Sequence, residues 1–161
     1  MHRDPRHDVV SHTEGGDAVA PRHVNGDIVR HRIRYGDRRI TAVVSFAELH
    51  HRAPVLWVGI PIMWPAGGGG VGHGEMEVEV RRNRPAQGTA SFGGGDAECQ
   101  VRSVIRYDVN KVRLSMPARC LGTPDWIRAY TAAYTQSPKR TMVDTSPDNL
   151  TGRPGVRITR G

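Results

Sequence analysis

Cysteine occurs only twice in this chain, at Cys99 and Cys120, and neither belongs to a CxxC pair. The lack of a closely spaced histidine pair beside them argues against a paired zinc site. Leucine is scarce, five copies against eighteen of valine, and phenylalanine occurs twice. Leu, Ile, Val and Phe together number 33 of 161 residues, so the hydrophobic core must be thin. No apolar run approaches the ~20 residues needed to span a bilayer. The longest candidate, "APVLWVGIPIMWPAG", is short and carries three prolines. Catalytic signatures are lacking as well. There is no GxSxG elbow, and the glycine-rich "GGGGVGHG" has neither the Lys-Ser/Thr nor the following helix of a phosphate loop. It reads as a hairpin loop.

What is present points to strands. Valine fits pleated, half-buried surfaces better than helices. "DIVRHRIRY" alternates, with Val29, His31, Ile33 and Tyr35 on one side and Arg30, Arg32 and Arg34 on the other. "ITAVVSF" follows after "GDRR", and a loop at Gly36 to Arg39 sets Tyr35 opposite Ile40 and Val29 opposite Phe46. "PVLWVGIPIMW" is apolar on both faces, as a central strand is, although Pro61 argues for an edge or a bulge. "EMEVEV" alternates strictly, Met76, Val78 and Val80 inward and Glu75, Glu77 and Glu79 outward. "GTASF" is a further short strand, and "DWIRAYTAAY" reads as a strand rather than a helix. Short strands separated by Gly and Asp turns predict an all-β chain, a single antiparallel β-sandwich. Its expected span is residues 27–134. Residues 1–26 read as mostly irregular, with one short strand at "DVVSH". Residues 135–161 read as a mostly irregular tail, with room for a short closing strand.

The segment "CQVRSVIRYDVNKVRLSMPARC" holds both cysteines. A turn at Asp108 to Lys111 places Val101, Ile105 and Tyr107 on the same face as Val112, Leu114 and Met116. Tyr107 then pairs with Val112 and Ile105 with Leu114. Two residues beyond the pair Val101–Ala118, that register sets Cys99 opposite Cys120, within bridging distance. A three-residue loop with Asn110 left-handed is the alternative, but it turns Lys111 and Arg113 inward. Two unrelated buried thiols would be the plainer reading. A disulfide would pull the protein toward an oxidising compartment, secreted or at the cell surface. The polar opening "MHRDPRHDVV" pulls the other way: it shows no leader peptide, which taken alone reads as cytoplasmic.

The string "CQVRSVIRYDVNKVRLSMPARCLGTPDWIR" resembles a recurring segment of mostly secreted actinobacterial proteins. Cys99, Tyr107, Asp108, Asn110, Pro117, Cys120, Leu121, Gly122, Pro124 and Trp126 carry the likeness. "NGDIVRHRIRY" and "VRITRG" extend it loosely over most of the chain. The resemblance implies an exported β-sandwich, distantly similar to DOMON and carbohydrate-binding modules, and no particular activity.

Charge is the remaining signal. The net charge is +7, and of 23 basic residues only Lys111 and Lys139 are lysines. Arginine forks suit phosphate, although spread-out arginines also serve as plain solvated cations. On the outward face of the cysteine hairpin the expected register sets Arg106 opposite Arg113, with Arg102 nearby. Like charges so placed need neutralising, either by the glutamates of "EMEVEV" or by a bound anion. Arg102, Arg106 and Arg113 are therefore the candidate anion-binding residues.

Other constellations are weaker. His50 and His51 point to opposite faces of a strand, His73 stands alone, and His31 reads as a satisfied core histidine. Asp8 and Asp27 could meet calcium between loops, but no EF-hand-like pattern supports a metal site, and no cofactor is implied. Trp57, Trp64 and Trp126 are candidates for a sugar-stacking platform, with burial the plainer use of Trp126. The expectation is a non-catalytic extracellular or cell-surface module for an anionic or carbohydrate ligand. The alternative is a cytosolic basic domain that binds nucleic acid or another polyanion. A cell-envelope hydrolase would be a third class, but no residue carries it. Ligand identity and oligomeric state are not encoded in any motif.

Overall fold

The computed structural model describes residues 2–6, 8–13, 16–19, 25–50, 55–81, 87–92, 99–137, 140–146 and 155–161. Fourteen strands are described. Their order is β1 (His2–Arg3), β2 (Val10–Thr13), β3 (Gly16–Val19), β4 (Ile28–Tyr35), β5 (Arg39–Phe46), β6 (Val55–Pro65) and β7 (Val71–Arg81). Then follow β8 (Gln87–Phe92), β9 (Arg102–Arg106), β10 (Lys111–Pro117), β11 (Trp126–Ala129), β12 (Thr131–Ser137), β13 (Arg140–Ser146) and β14 (Val156–Thr159). They form two antiparallel sheets packed face to face, an all-β sandwich as the alternation predicts. The first sheet runs β1-β4-β5-β10-β9. The second is built on β6, which pairs with β7 on one side and with β11 and β12 on the other; β8, β13, β14, β2 and β3 extend it. No helix among the described residues is long and apolar enough to cross a membrane.

Period-two burial drives the stacking. Ile40, Ala42, Val44 and Phe46 of β5 are buried, and Val112, Leu114 and Met116 of β10 continue that inner face. Leu56, Val58, Ile60 and Ile62 of β6 meet them from the opposite sheet, with Met76 and Val78 of β7. Both faces of β6 look apolar in sequence, yet only the even positions enter the core.

The segments read as irregular tails take part in the sheets. β1 pairs with β4, β2 and β3 pair beside β13, and β14 pairs with β11. β1 and β3 are short and polar, so no hydrophobic period marks them. The sheet is what makes them strands, by offering an edge whose N–H and C=O groups need partners. The short strand expected at "DVVSH" is β2, and "VRITRG" contains β14.

Three local details correct the sequence reading. In the β4–β5 hairpin, Tyr35 pairs with Ile40 as expected. A bulge then intervenes, and Ile28, not Val29, pairs with Phe46. Pro61 sits in the middle of β6 rather than at an edge. Directly across from it stands Tyr130, the one residue separating β11 from β12, and the Tyr130 amide donates to the Pro61 carbonyl at 3.3 Å. Proline has no amide to return, so one long strand is interrupted there. The glycine loop is shorter than its composition suggests, because Val71 to Gly74 already belong to β7. Gly72 is required in that stretch: the Trp64 indole occupies the space a Cβ would fill.

The cysteine hairpin keeps its predicted inner face but not its predicted register. Arg106 pairs with Lys111 and Ile105 with Val112, a slip of two residues from the expected pairing. Such a slip leaves every side chain on its original face. The loop is a single 3-10 turn at Tyr107–Val109 closed by Asn110 in the left-handed region, φ 51°. Asn110 holds that conformation through its amide: Oδ1 accepts from Leu49 N at 3.1 Å, and Nδ2 donates to the Ala47 carbonyl at 3.4 Å. Continued, the observed register would set Cys99 across from Ala118. Pro117 instead ends β10, and a 3-10 turn at Ala118–Leu121 winds Cys120 back toward Cys99. The two form a disulfide with Cα atoms 5.8 Å apart.

Candidate anion-binding face

The outward positions of the first sheet follow from its registers. Arg30, Ser45, Lys111 and Arg106 form one row across β4, β5, β10 and β9. Arg32, Val43, Arg113 and Val104 form the next, and Arg34, Thr41, Ser115 and Arg102 the third. Strand alternation therefore places seven cations on one sheet face. Arg3 of β1 lies beside Arg30, and Arg39 begins β5. Like charges on neighbouring strands repel, so this face holds unfavourable electrostatic energy unless something neutralises it.

Little among the described residues does. Arg106 is neutralised: Nε donates to Asp108 Oδ1 at 2.9 Å and an Nη to Oδ2 at 2.6 Å. The fork holds the Asp108 carboxyl below its usual range. Arg39 donates to Ser115, from Nε to Oγ at 2.7 Å and from Nη2 to the carbonyl at 3.1 Å. Arg30, Arg32, Arg34, Arg102, Lys111 and Arg113 make no ion pair among the described residues. Of the three arginines singled out from sequence, Arg102 and Arg113 thus remain unneutralised, whereas Arg106 is committed to Asp108. The expected opposition of Arg106 and Arg113 is replaced by Arg106 against Lys111.

The glutamates offered as an internal counter-charge are elsewhere. Glu75, Glu77 and Glu79 lie on the outer face of the second sheet, across from Pro61, Gly59 and Trp57. A sandwich puts its two outer faces on opposite sides of the molecule, so a ladder between those glutamates and these arginines is ruled out. Sequence alternation shows which face of its own sheet each residue takes. It does not show which sheet the strand joins.

Two cavities open on the cationic face. One of about 710 Å³ is lined by Arg3, Arg6, Arg30, Arg32, Ser45 and Lys111, among others. The other, about 500 Å³, is bounded by Arg34, Arg39, Thr41 and Arg113. Asp4 also lines the first cavity, but its Oδ2 is buried and its carboxylate clusters with Asp8 and Asp144.

That cluster is the second polar feature. One carboxylate oxygen each from Asp4, Asp8 and Asp144 lies within 4.8 Å of the others, close enough to share a hard cation. Asp144 is 4 % exposed, and its Oδ2 accepts the Ile28 amide at 2.5 Å. Burial, then the charges of Asp8, Asp4 and Asp27, pushes its carboxyl up to about 8. A proton on Asp144 relieves the repulsion at neutral pH. Sequence inspection pointed to Asp8 and Asp27 and missed Asp144, whose flanking "TMVDTS" shows nothing unusual. Nearby, His31 is buried with Nδ1 3.1 Å from Ser146 Oγ, a satisfied core histidine.

The tryptophans do not form one platform. Trp64 packs against the core from the inner side of β6. Trp57 stacks on Tyr134, ring centroids 5.8 Å apart, on the outer face of the second sheet. Trp126 is at the far end of that face beneath the Arg157 guanidinium, 4.7 Å from its ring centroid. The registers separate Trp57 from Trp126 by about eight strand positions, roughly 26 Å. His50 pairs with Glu48 at 3.1 Å, while His51 lies outside the described residues. His73 is exposed across from Met63. No protein-family model matches the chain, and no curated protein is significantly similar to it.

Proposed function

We propose that this protein is a non-catalytic, exported binding module, and that the outer face of its five-stranded sheet takes an anionic ligand. The observation that carries this reading is the set of six cations on that face, Arg30, Arg32, Arg34, Arg102, Lys111 and Arg113, with no ion pair among the described residues. Guanidinium forks bind phosphate and carboxylate in bidentate fashion, and release of condensed counterions drives the association. The Cys99–Cys120 bridge supports export, because disulfides are rare in reducing compartments.

Retention on phosphocellulose over a salt series tests the binding. The wild type binds at low salt, and the double variant Arg32→Gln/Arg113→Gln lowers the slope of log K against log salt by about two. An unretained wild type, or an unchanged slope, refutes the reading. Compartment is tested by the mass of protein recovered from the organism's medium and cytosol. Export predicts a secreted form that gains two hydrogens on reduction. A reduced, wholly intracellular protein would favour the alternative, a cytosolic domain for nucleic acid.

A further inference from the structure

We infer that the cationic face is a trough for a linear phosphate polymer, laid parallel to β4 and read by its backbone alone. This rests on the anion-binding reading and names its ligand. The trough follows from the strand order. β5 lies between β4 and β10, and its outward side chains are short: Ser45, Val43 and Thr41. Arg30, Arg32 and Arg34 rise along one side, and Lys111 and Arg113 along the other. The two walls are two strand spacings apart, about 9.6 Å. The floor between them is uncharged at Ser45, Val43 and Thr41, and Arg39 adds a further cation at the end beside Arg34.

Spacing along the trough favours a chain over a compact anion. Successive cations on one wall are two residues apart, about 6.7 Å, and the wall from Arg30 to Arg34 covers about 13 Å. The two cavities lie at its two ends, one beside Arg30 and Lys111, the other beside Arg34 and Arg113. A small anion fills one end. A linear polymer engages both and the cations between them. A flat lipid surface would meet the tips of both walls and leave the floor irrelevant.

The face also indicates how little of the ligand is read. Among its described residues no aromatic side chain points outward. The stacked pair Trp57 and Tyr134 is on the other sheet, on the opposite side of the molecule. Proteins that hold single-stranded nucleic acid stack its bases on aromatic rings. A trough with charged walls and a short-chain floor instead recognises repeated phosphoryl groups, whether inorganic polyphosphate or a phosphodiester backbone.

Calorimetric titration tests this with linear polyphosphates of increasing length, inositol hexakisphosphate, phosphatidylglycerol vesicles, and abasic and base-bearing phosphodiester oligomers of equal length. Affinity should climb with length until the chain spans the trough, then level off. Hexakisphosphate or vesicles binding as tightly as a linear chain of equal charge would overturn the proposal while leaving anion binding intact. Absence of binding in every arm would refute both. Base-bearing oligomers should match the abasic ones, and tighter binding by roughly tenfold or more would show that bases are read.

Val43 and Val104 supply a matched pair, since both stand directly across from Arg113, one on the floor and one beyond the wall. Val43→Glu should weaken the longest chain by roughly tenfold or more, and Val104→Glu far less. Equal effects would mean bulk charge, not the trough, governs binding. Thermal melts and the retained disulfide mass verify that both variants are folded.

Discussion

At the scale of single residues, Asp144 sets a pH dependence. Its carboxyl is raised from 3.8 to about 8, chiefly by burial and then by neighbouring aspartates. Between those values the folded state holds a proton that the unfolded chain has released. Stability from this group is therefore full below about pH 4 and is lost as pH rises through about 8. Thermal melts from about pH 5 to about pH 9 should show a falling midpoint, worth a few kcal/mol. Asp144→Asn, which keeps an acceptor for the Ile28 amide, should flatten that slope. Asn110 offers a second residue-scale prediction. Glycine there keeps the left-handed backbone but loses the bonds to Leu49 and Ala47; alanine loses both. Denaturant midpoints should rank wild type above Asn110→Gly above Asn110→Ala, the first step costing about 1–2 kcal/mol. Asn110 was legible as a turn residue because few other side chains tolerate positive φ. Asp144 was not legible, because nothing local marks a carboxylate for burial.

At the scale of elements, the hairpin stapled by Cys99 and Cys120 is the unit to perturb. Closing a loop with a sequence separation of 21 residues contributes about 3 kcal/mol by constraining the unfolded chain. The double variant Cys99→Ala/Cys120→Ala, or full reduction, should lower the melting midpoint by that equivalent while leaving β-sheet circular dichroism unchanged below the transition. The bridge was inferred from the wrong register, and the reason is instructive. The apolar pattern constrains a hairpin only to which face its residues take, so registers two residues apart look identical in sequence. The turn at Tyr107–Asn110 and the winding at Ala118–Leu121 decide between them, and these depend on the hydrogen bonds of Asn110 to Leu49 and Ala47 and on burial of Ala118 and Leu121 in the core. The proline in β6 was likewise visible as an irregularity. Its resolution, a gap at Tyr130 in the partner strand, needed the neighbour's identity.

At the scale of the whole molecule, the two outer faces differ in character. One carries the arginine rows, and the other carries Glu75, Glu77 and Glu79 beside the Trp57–Tyr134 stack. Glu75 folds over Gly59, and burial followed by the Glu77 charge raises its carboxyl. A net charge of +7 therefore understates the field on the first sheet. Arg157, on the second sheet, provides the control. Arg157→Gln and Arg32→Gln change net charge equally, yet only Arg32→Gln should reduce polyanion affinity, by about one unit of salt slope. Equal losses in salt-gradient elution would assign binding to overall charge.

The alternation of apolar with charged or polar residues was enough to determine the β class, the inner faces of β5, β7 and β10, and the outward direction of every cation in β4 and β10. Those are nearest-neighbour properties of a pleated backbone, with a period of two residues. Tertiary structure alone decided that β5 would lie between the two arginine-bearing strands, that the glutamates would fall on the opposite sheet, and that β1, β3 and β13 would form. Strand order is a long-range choice among edges with similar hydrogen-bonding groups. It is settled by how the inner faces pack, and no stretch of this sequence carries that information locally.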